Sequence, residues 1–186
     1  IAAYFDEACA RNARQEALVV RHQRTRLTYG ELRQEVDRLA CGLLRLGLEP
    51  GDRVGIWSQN NLEWVLTQFA TAKAGLVMVN INPAYRRTEL EYALHKVGCR
   101  ALILSPAFKG SDYLAVIREL APELDHCRPG ALEAARLPLL QAVVRLGGEN
   151  TPGMLKFDAL RSAPDTAELD RLAAIGRRLQ FDDPIN

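Results

Sequence analysis

The sequence predicts an α/β fold, a layered parallel sheet with flanking helices. Three observations lead there. Short apolar runs, "RVGIW", "LVMVNI" and "ALIL", alternate with amphipathic helical stretches about every 24 residues, the rhythm of βαβ units with right-handed crossovers. Three of those helical stretches close on glycine, at Gly47, Gly75 and Gly98. Apolar residues make up 48% and charged residues 25% of the 186 residues, a soluble composition able to bury a sizeable core.

The first dozen residues read as a short amphipathic helix with Ile1, Tyr4, Phe5 and Ala8 on one face. "ALVVRHQRTRLTY" then reads as a hairpin turning at His22 to Arg24. A long helix follows, opened by the capping box of Thr28 and Glu31, with Leu32, Val36, Leu39, Leu43 and Leu46 as its stripe and Gly42 inside it. "RVGIW" is the next strand. Asn60 or Asn61 caps the helix after it, whose stripe is Leu62, Val65, Leu66 and Phe69 and whose stop is Gly75. The unbroken run "LVMVNI" fits a strand covered on both faces.

Thr88 and Glu91 form a second expected capping box, ahead of Leu90, Leu94 and Val97. The strand "ALIL" comes next, and then a helix capped by Ser111 with Leu114, Ile117 and Leu120 inward. "LDHCRPGALEAARLP" has no strong period and includes a loop, and "LLQAVVRLGG" reads as another buried strand. "TPGMLKFDALRSA" looks like a helix capped by Thr151 with Pro152 in its first turn, and a last helix carries Leu169, Leu172 and Ile175. No linker divides the chain.

Sheets of this kind take ligands in the loops beyond the carboxyl ends of their strands. Those loops are "SQNN", "NPAYRRT" and "SPAFKGS", and none holds a dinucleotide, P-loop or nucleophile-elbow motif. The three histidines have no nucleophile nearby; His22 falls in a turn and His95 at the edge of a helix face. The "NPAYRR" loop is the most distinctive, because Arg86 and Arg87 precede a helix start and suit a phosphate. Solvated arginines, or arginines paired with Glu89 and Glu91, are the competing reading. No catalytic residue and no metal site is expected.

A formal net charge of +1 with scattered arginines argues against a nucleic-acid surface. Cys9, Cys41, Cys99 and Cys127 lie far apart, which fits buried thiols in a reduced, cytoplasmic protein. No apolar stretch is long enough to span a membrane, and no signal peptide is read at the start.

From Leu27 to Leu104, and more loosely to Asn186, the chain resembles the N-terminal part of the AMP-forming acyl-CoA synthetases of the adenylate-forming superfamily. The stretches "GLEPGDRVGIWSQNNLEWV" and "AGLVMVNINPAYR" are most similar to fatty acid to CoA ligases of medium or long chain preference. The resemblance implies that residues 1–186 are the N-terminal part of an AMP-binding (adenylation) domain, cut before its phosphate-binding loop. ATP, Mg2+ and CoA are then cofactors of the full-length enzyme, a small-molecule carboxylic acid is its substrate, and none is expected to bind tightly to this piece alone. Family analogy allows Arg86 or Arg87 to meet CoA phosphates. The piece itself is expected to be inactive and to self-associate through surface that further residues would cover. The alternative is a freestanding non-catalytic binding or scaffold module; coding sequence running on past Asn186 into a Gly-rich loop separates the two.

Overall fold

The computed structural model describes residues 1–186, which gather into two compact units. One comprises Ile1–Gly51, Asn60–Val77 and Leu160–Ile185, and the other mainly Asp52–Gln59 and Met78–Ala159. The chain passes between them several times, so the division leaves no linker in the sequence.

The first unit begins with α1 (Ala2–Arg11) and the antiparallel hairpin of β1 (Glu16–Val20) and β2 (Thr25–Thr28), which turns through Arg21–Gln23 and the left-handed Arg24. The buried face of α1 is Phe5 and Cys9, while Ile1 and Tyr4 are 59% and 68% exposed. The expected stripe was rotated because Phe5 sets the face, stacking on Phe69 with ring centroids 4.3 Å apart.

Helix α2 (Tyr29–Arg45) has the predicted cap: the Thr28 N–H donates to Glu31 at 2.8 Å, and the Thr28 hydroxyl accepts from the Glu31 N–H. Asn61 caps α3 (Leu62–Lys73), and Gln23 adds a second cap by accepting the Leu62 N–H at 2.7 Å. Leu62, Val65 and Phe69 are only half-buried, whereas Leu66, Thr67, Ala70, Thr71 and Lys73 are buried. Lys73 is accommodated because its ammonium lies 2.6 Å from Asp6 of α1 and 2.5 Å from Asp37 of α2. After α6 (Phe157–Leu160), which spans the boundary of the units, α7 (Thr166–Gly176) closes this unit with a capping box of Asp165 and Glu168. Leu172 is its buried anchor, while Leu169 is 41% exposed.

The second unit holds a five-stranded sheet in the order β4-β3-β5-β8-β9, formed by β3 (Arg53–Trp57), β4 (Val77–Asn80), β5 (Cys99–Leu104), β8 (Ala142–Arg145) and β9 (Leu155–Lys156). The β3–β5, β5–β8 and β8–β9 pairings are parallel. Between β5 and β8 lies a small hairpin, β6 (Ala107–Phe108) with β7 (Ser111–Asp112). Helices α4 (Arg87–Val97) and α5 (Tyr113–Leu120) bury Leu90, Leu94, Tyr113, Ile117 and Leu120 in one cluster with Leu102, Leu104 and Val143 of the sheet. The α/β class with a parallel sheet and flanking helices is therefore what the chain adopts.

Local expectations shift further at the following places. Strand β4 is an edge strand with Val77 and Val79 half-buried, so its apolar run does not mean cover on both faces. Helix α4 is capped two residues early, by Glu89 accepting the Arg86 N–H at 3.1 Å; Thr88 and Glu91 do not cap it, and Glu91 instead pairs with Arg136. Asp112 rather than Ser111 caps α5, accepting the Ala115 N–H at 2.9 Å, and Tyr113 takes the inward place expected of Leu114. "TPGM" is a turn, not a helix start: Met154 donates to the Thr151 carbonyl at 3.1 Å, with Pro152 and a left-handed Gly153 at its centre. Strand β9 follows that turn directly.

Candidate functional site

The sheet order reverses between β3 and β5, since the chain leaves β3 toward β4 on one side and β5 toward β8 on the other. The carboxyl ends flanking such a reversal are where open α/β sheets receive ligands. Here they are occupied by a polar network and an aromatic pair.

Ser58, just beyond β3, and Ser105, just beyond β5, are buried with their hydroxyl oxygens 2.8 Å apart. Ser105 also donates to the Gln59 side-chain oxygen at 3.0 Å. That bond fixes which way the Gln59 amide faces, leaving its NH2 pointing away from the pair.

Beside them Trp57 and Tyr113 stack with centroids 3.5 Å apart and planes 9° from parallel. Both rings use their polar atoms on the loop after β4: Trp57 Nε1 donates to the Asn82 carbonyl at 3.1 Å and the Tyr113 hydroxyl to the Pro83 carbonyl at 2.6 Å. Asn82 shapes the turn further, its side chain accepting the Ala84 N–H at 2.9 Å. Burial pushes the Tyr113 hydroxyl pKa up, with the Arg86 charge opposing, so this donor keeps its proton.

The pinned loop delivers the two arginines singled out from the sequence. They are neighbours in the chain but are drawn to different partners. Arg86 donates to Ser111 Oγ at 2.9 Å, linking the loop after β4 to β7. Arg87 lies 3.7 Å from Glu119 of α5, with both side chains more than half exposed. Glu89 meets only the backbone of Arg86, and Glu91 is taken by Arg136. An exposed pair as long as that of Arg87 is worth little and yields readily to a phosphate. Arg86 keeps spare donors beyond the one given to Ser111.

The sequence reading missed Trp57, Tyr113, Ser58, Ser105 and Gln59. Trp57 ends β3 and the others stand one or two places from a strand end or helix cap, so position alone could have marked them. What sequence spacing does not carry is that residues 46 to 56 places apart converge. No cluster of three or more His, Cys, Asp or Glu side chains is placed to hold a metal ion.

Residues 5–174 match the family model described as AMP-binding enzyme. The chain is 44% identical over 183 residues, 98% of its length and 30% of the relative's, to a protein of Bos taurus named medium-chain acyl-CoA ligase ACSF2, mitochondrial. It is 46% identical over 172 residues to the Homo sapiens protein of the same name, covering 92% of this chain and 28% of that one. A solved structure of the anthranilate CoA ligase AuaEII in complex with anthranoyl-AMP superposes with a TM-score of 0.69 at 22% identity, covering 97% of this chain and 29% of that one, a likeness of fold. The chain thus spans about 30% of the length of the curated relatives it matches. By the match over nearly its whole length, the chain belongs to the AMP-binding enzyme family, whose acyl-CoA synthetases its Leu27–Leu104 stretch resembles.

Proposed function

We propose that this chain is the N-terminal part of the adenylation domain of an ATP-dependent fatty acid to CoA ligase. The observation that carries the reading is the family match over residues 5–174, together with relatives above 40% identity named acyl-CoA ligases. In such a reaction the acid's carboxylate attacks the α-phosphate of ATP, pyrophosphate leaves, and the CoA thiol then displaces AMP from the mixed anhydride. Magnesium and cationic groups offset the developing negative charge. The part of this chain is to hold its strand-end loops in place. The Trp57–Tyr113 pair fixes the loop after β4, and that loop offers Arg86 and Arg87 to the phosphates of CoA. Their exposure and the loose pairing of Arg87 support that role.

On this reading the chain alone neither adenylates nor forms thioesters, and it binds ATP, Mg2+ and CoA weakly. Self-association of the isolated chain is part of the proposal, supported by the exposure of Leu139 and Leu169. No helix is long and apolar enough to cross a membrane. The proposed compartment is the reducing cytoplasm, supported by four cysteines that form no disulfide; the vertebrate relatives are named as mitochondrial.

The test is product analysis by mass spectrometry, with ATP, CoA and a series of fatty acids. A protein carrying these residues within a full-length adenylation domain is expected to form acyl-CoA and AMP, and residues 1–186 alone are not. Acyl-CoA made by the isolated chain would overturn the assignment of a partial domain, and none from the longer protein with any acid would overturn the ligase reading.

A further inference from the structure

Six charged side chains have a buried nitrogen or oxygen atom without a hydrogen-bond partner, and Arg145 is the one among them that is buried as a whole residue. Arg145 ends β8, an interior strand with Leu104 of β5 and Lys156 of β9 as its register neighbours. Its side chain is 5% exposed. A guanidinium so deep is costly unless its donors are paired. One residue supplies both partners it has: Nη1 donates to the Glu149 backbone carbonyl at 2.8 Å, and Nη2 reaches the Glu149 carboxylate. Nε is buried and has no hydrogen-bond partner.

The partner is unlike the arginine. The Glu149 side chain is 84% exposed, and the loop that carries it, residues 147–150, is exposed throughout. Gly147 is left-handed, and neither Gly147 nor Gly148 has any atom within 4 Å of where a Cβ would stand. The hold on the loop that these contacts show is Arg145 itself, through the Glu149 carbonyl and carboxylate. An ion pair built only for stability would shelter both charges, yet here one is fixed in the sheet and the other rides on an open glycine turn.

We propose that Arg145 is the floor of an anion-binding site, closed by Glu149 acting as an internal ligand, and that its external ligand is a small oxyanion of the phosphate or carboxylate type. The inference does not depend on the ligase reading. An arginine fork accepts either oxyanion through two parallel N–H donors. The edge made by Nε and Nη2 is the one Glu149 leaves half used, so an entering oxyanion gains a bond that Glu149 does not make. The site lies at the carboxyl end of a parallel strand, the end from which such sheets bind ligands.

Glu149→Gln removes the internal competitor while keeping the shape of the loop, and Arg145→Met removes the floor. Thermal unfolding of the 186-residue chain is followed while inorganic phosphate, and separately acetate, is titrated at constant ionic strength. The glutamine variant is expected to unfold earlier than the parent, to recover with added anion, and to bind it about ten-fold more tightly, as when a competing state is removed. The methionine variant should not respond. Recovery with phosphate alone assigns a phosphate-type ligand, and recovery with acetate as well assigns a carboxylate-type one. Equal responses in all three proteins would overturn the site. Should the glutamine variant not fold, the Arg145 Nε–H resonance of the unaltered chain decides: a saturable shift with either anion supports the site, and no shift with both refutes it.

Discussion

Lys73 shows at the scale of one residue how the sequence hides what matters. It reads as an ordinary helix-end lysine, but 7% exposure and two carboxylates make it the tie between α1, α2 and α3. Lys73→Met leaves Asp6 and Asp37 with Arg33 as their one remaining cation and is expected to cost about 1–3 kcal/mol, less than a fully buried pair because both aspartates are partly exposed and Arg33 stays beside them. Urea unfolding checks it, and recovery in Asp6→Asn/Lys73→Met would show that charge is the cause. The thiols form a second prediction. Burial raises all four, Cys99 to about 12, so the reactive thiolate is scarce near neutral pH and grows only as pH rises. Disulfide-exchange reagents should label the native chain slowly, Cys127 first because it alone is half-buried, and all four at once after denaturation. The expectation of buried thiols holds for Cys9, Cys41 and Cys99, whereas Cys127 is only half-buried at the edge of the core.

Helices show both the reach and the limit of sequence reasoning. The Thr28–Glu31 box and the ends at Gly47, Gly75 and Gly98 were readable because each is set by residues within one turn. The second box was misplaced because Thr88 and Glu91 fit the pattern while Glu89, nearer the true start, made the bond. Thr88→Ala should therefore leave stability within a few tenths of a kcal/mol, and Glu89→Ala should lower it by about 0.5–1 kcal/mol, both read from denaturant midpoints. Gly42 is the sharper case. Inside a helix it invites replacement by alanine, yet a Cβ there would overlap the Leu160 carbonyl oxygen, a backbone atom 118 positions away in sequence. Gly42→Ala is expected to destabilise by about 1–3 kcal/mol in place of a gain from helix propensity. Gly75→Val should cost a similar amount for another reason, since Gly75 sits at φ +70 with Pro50 and Leu179 each 3.1 Å from a Cβ position. Alanine accepted freely at residue 42 would contradict this close approach.

At the scale of the whole molecule the class of fold was legible, because strand and helix alternate and a parallel sheet needs that alternation. The two-unit organisation was not, because the chain crosses between the units several times and no composition change marks a crossing. The candidate site was half legible. Arg86 and Arg87 stand out in the chain, while the Trp57–Tyr113 pair that sets their loop depends on contacts 56 residues apart. In a full-length enzyme, Arg87→Ala is expected to raise KM for CoA about five-fold with kcat little changed, as for one exposed charge-assisted contact. A fall in kcat with unchanged KM would place Arg87 elsewhere in the mechanism. The central claim, that these residues belong to an adenylating ligase, is tested most directly by exchange of labelled pyrophosphate into ATP. A protein carrying them within a full-length adenylation domain should exchange label only when a fatty acid is present, and residues 1–186 alone should show none. Label exchange by the isolated chain, or exchange by the longer protein that is indifferent to fatty acid, would contradict the account.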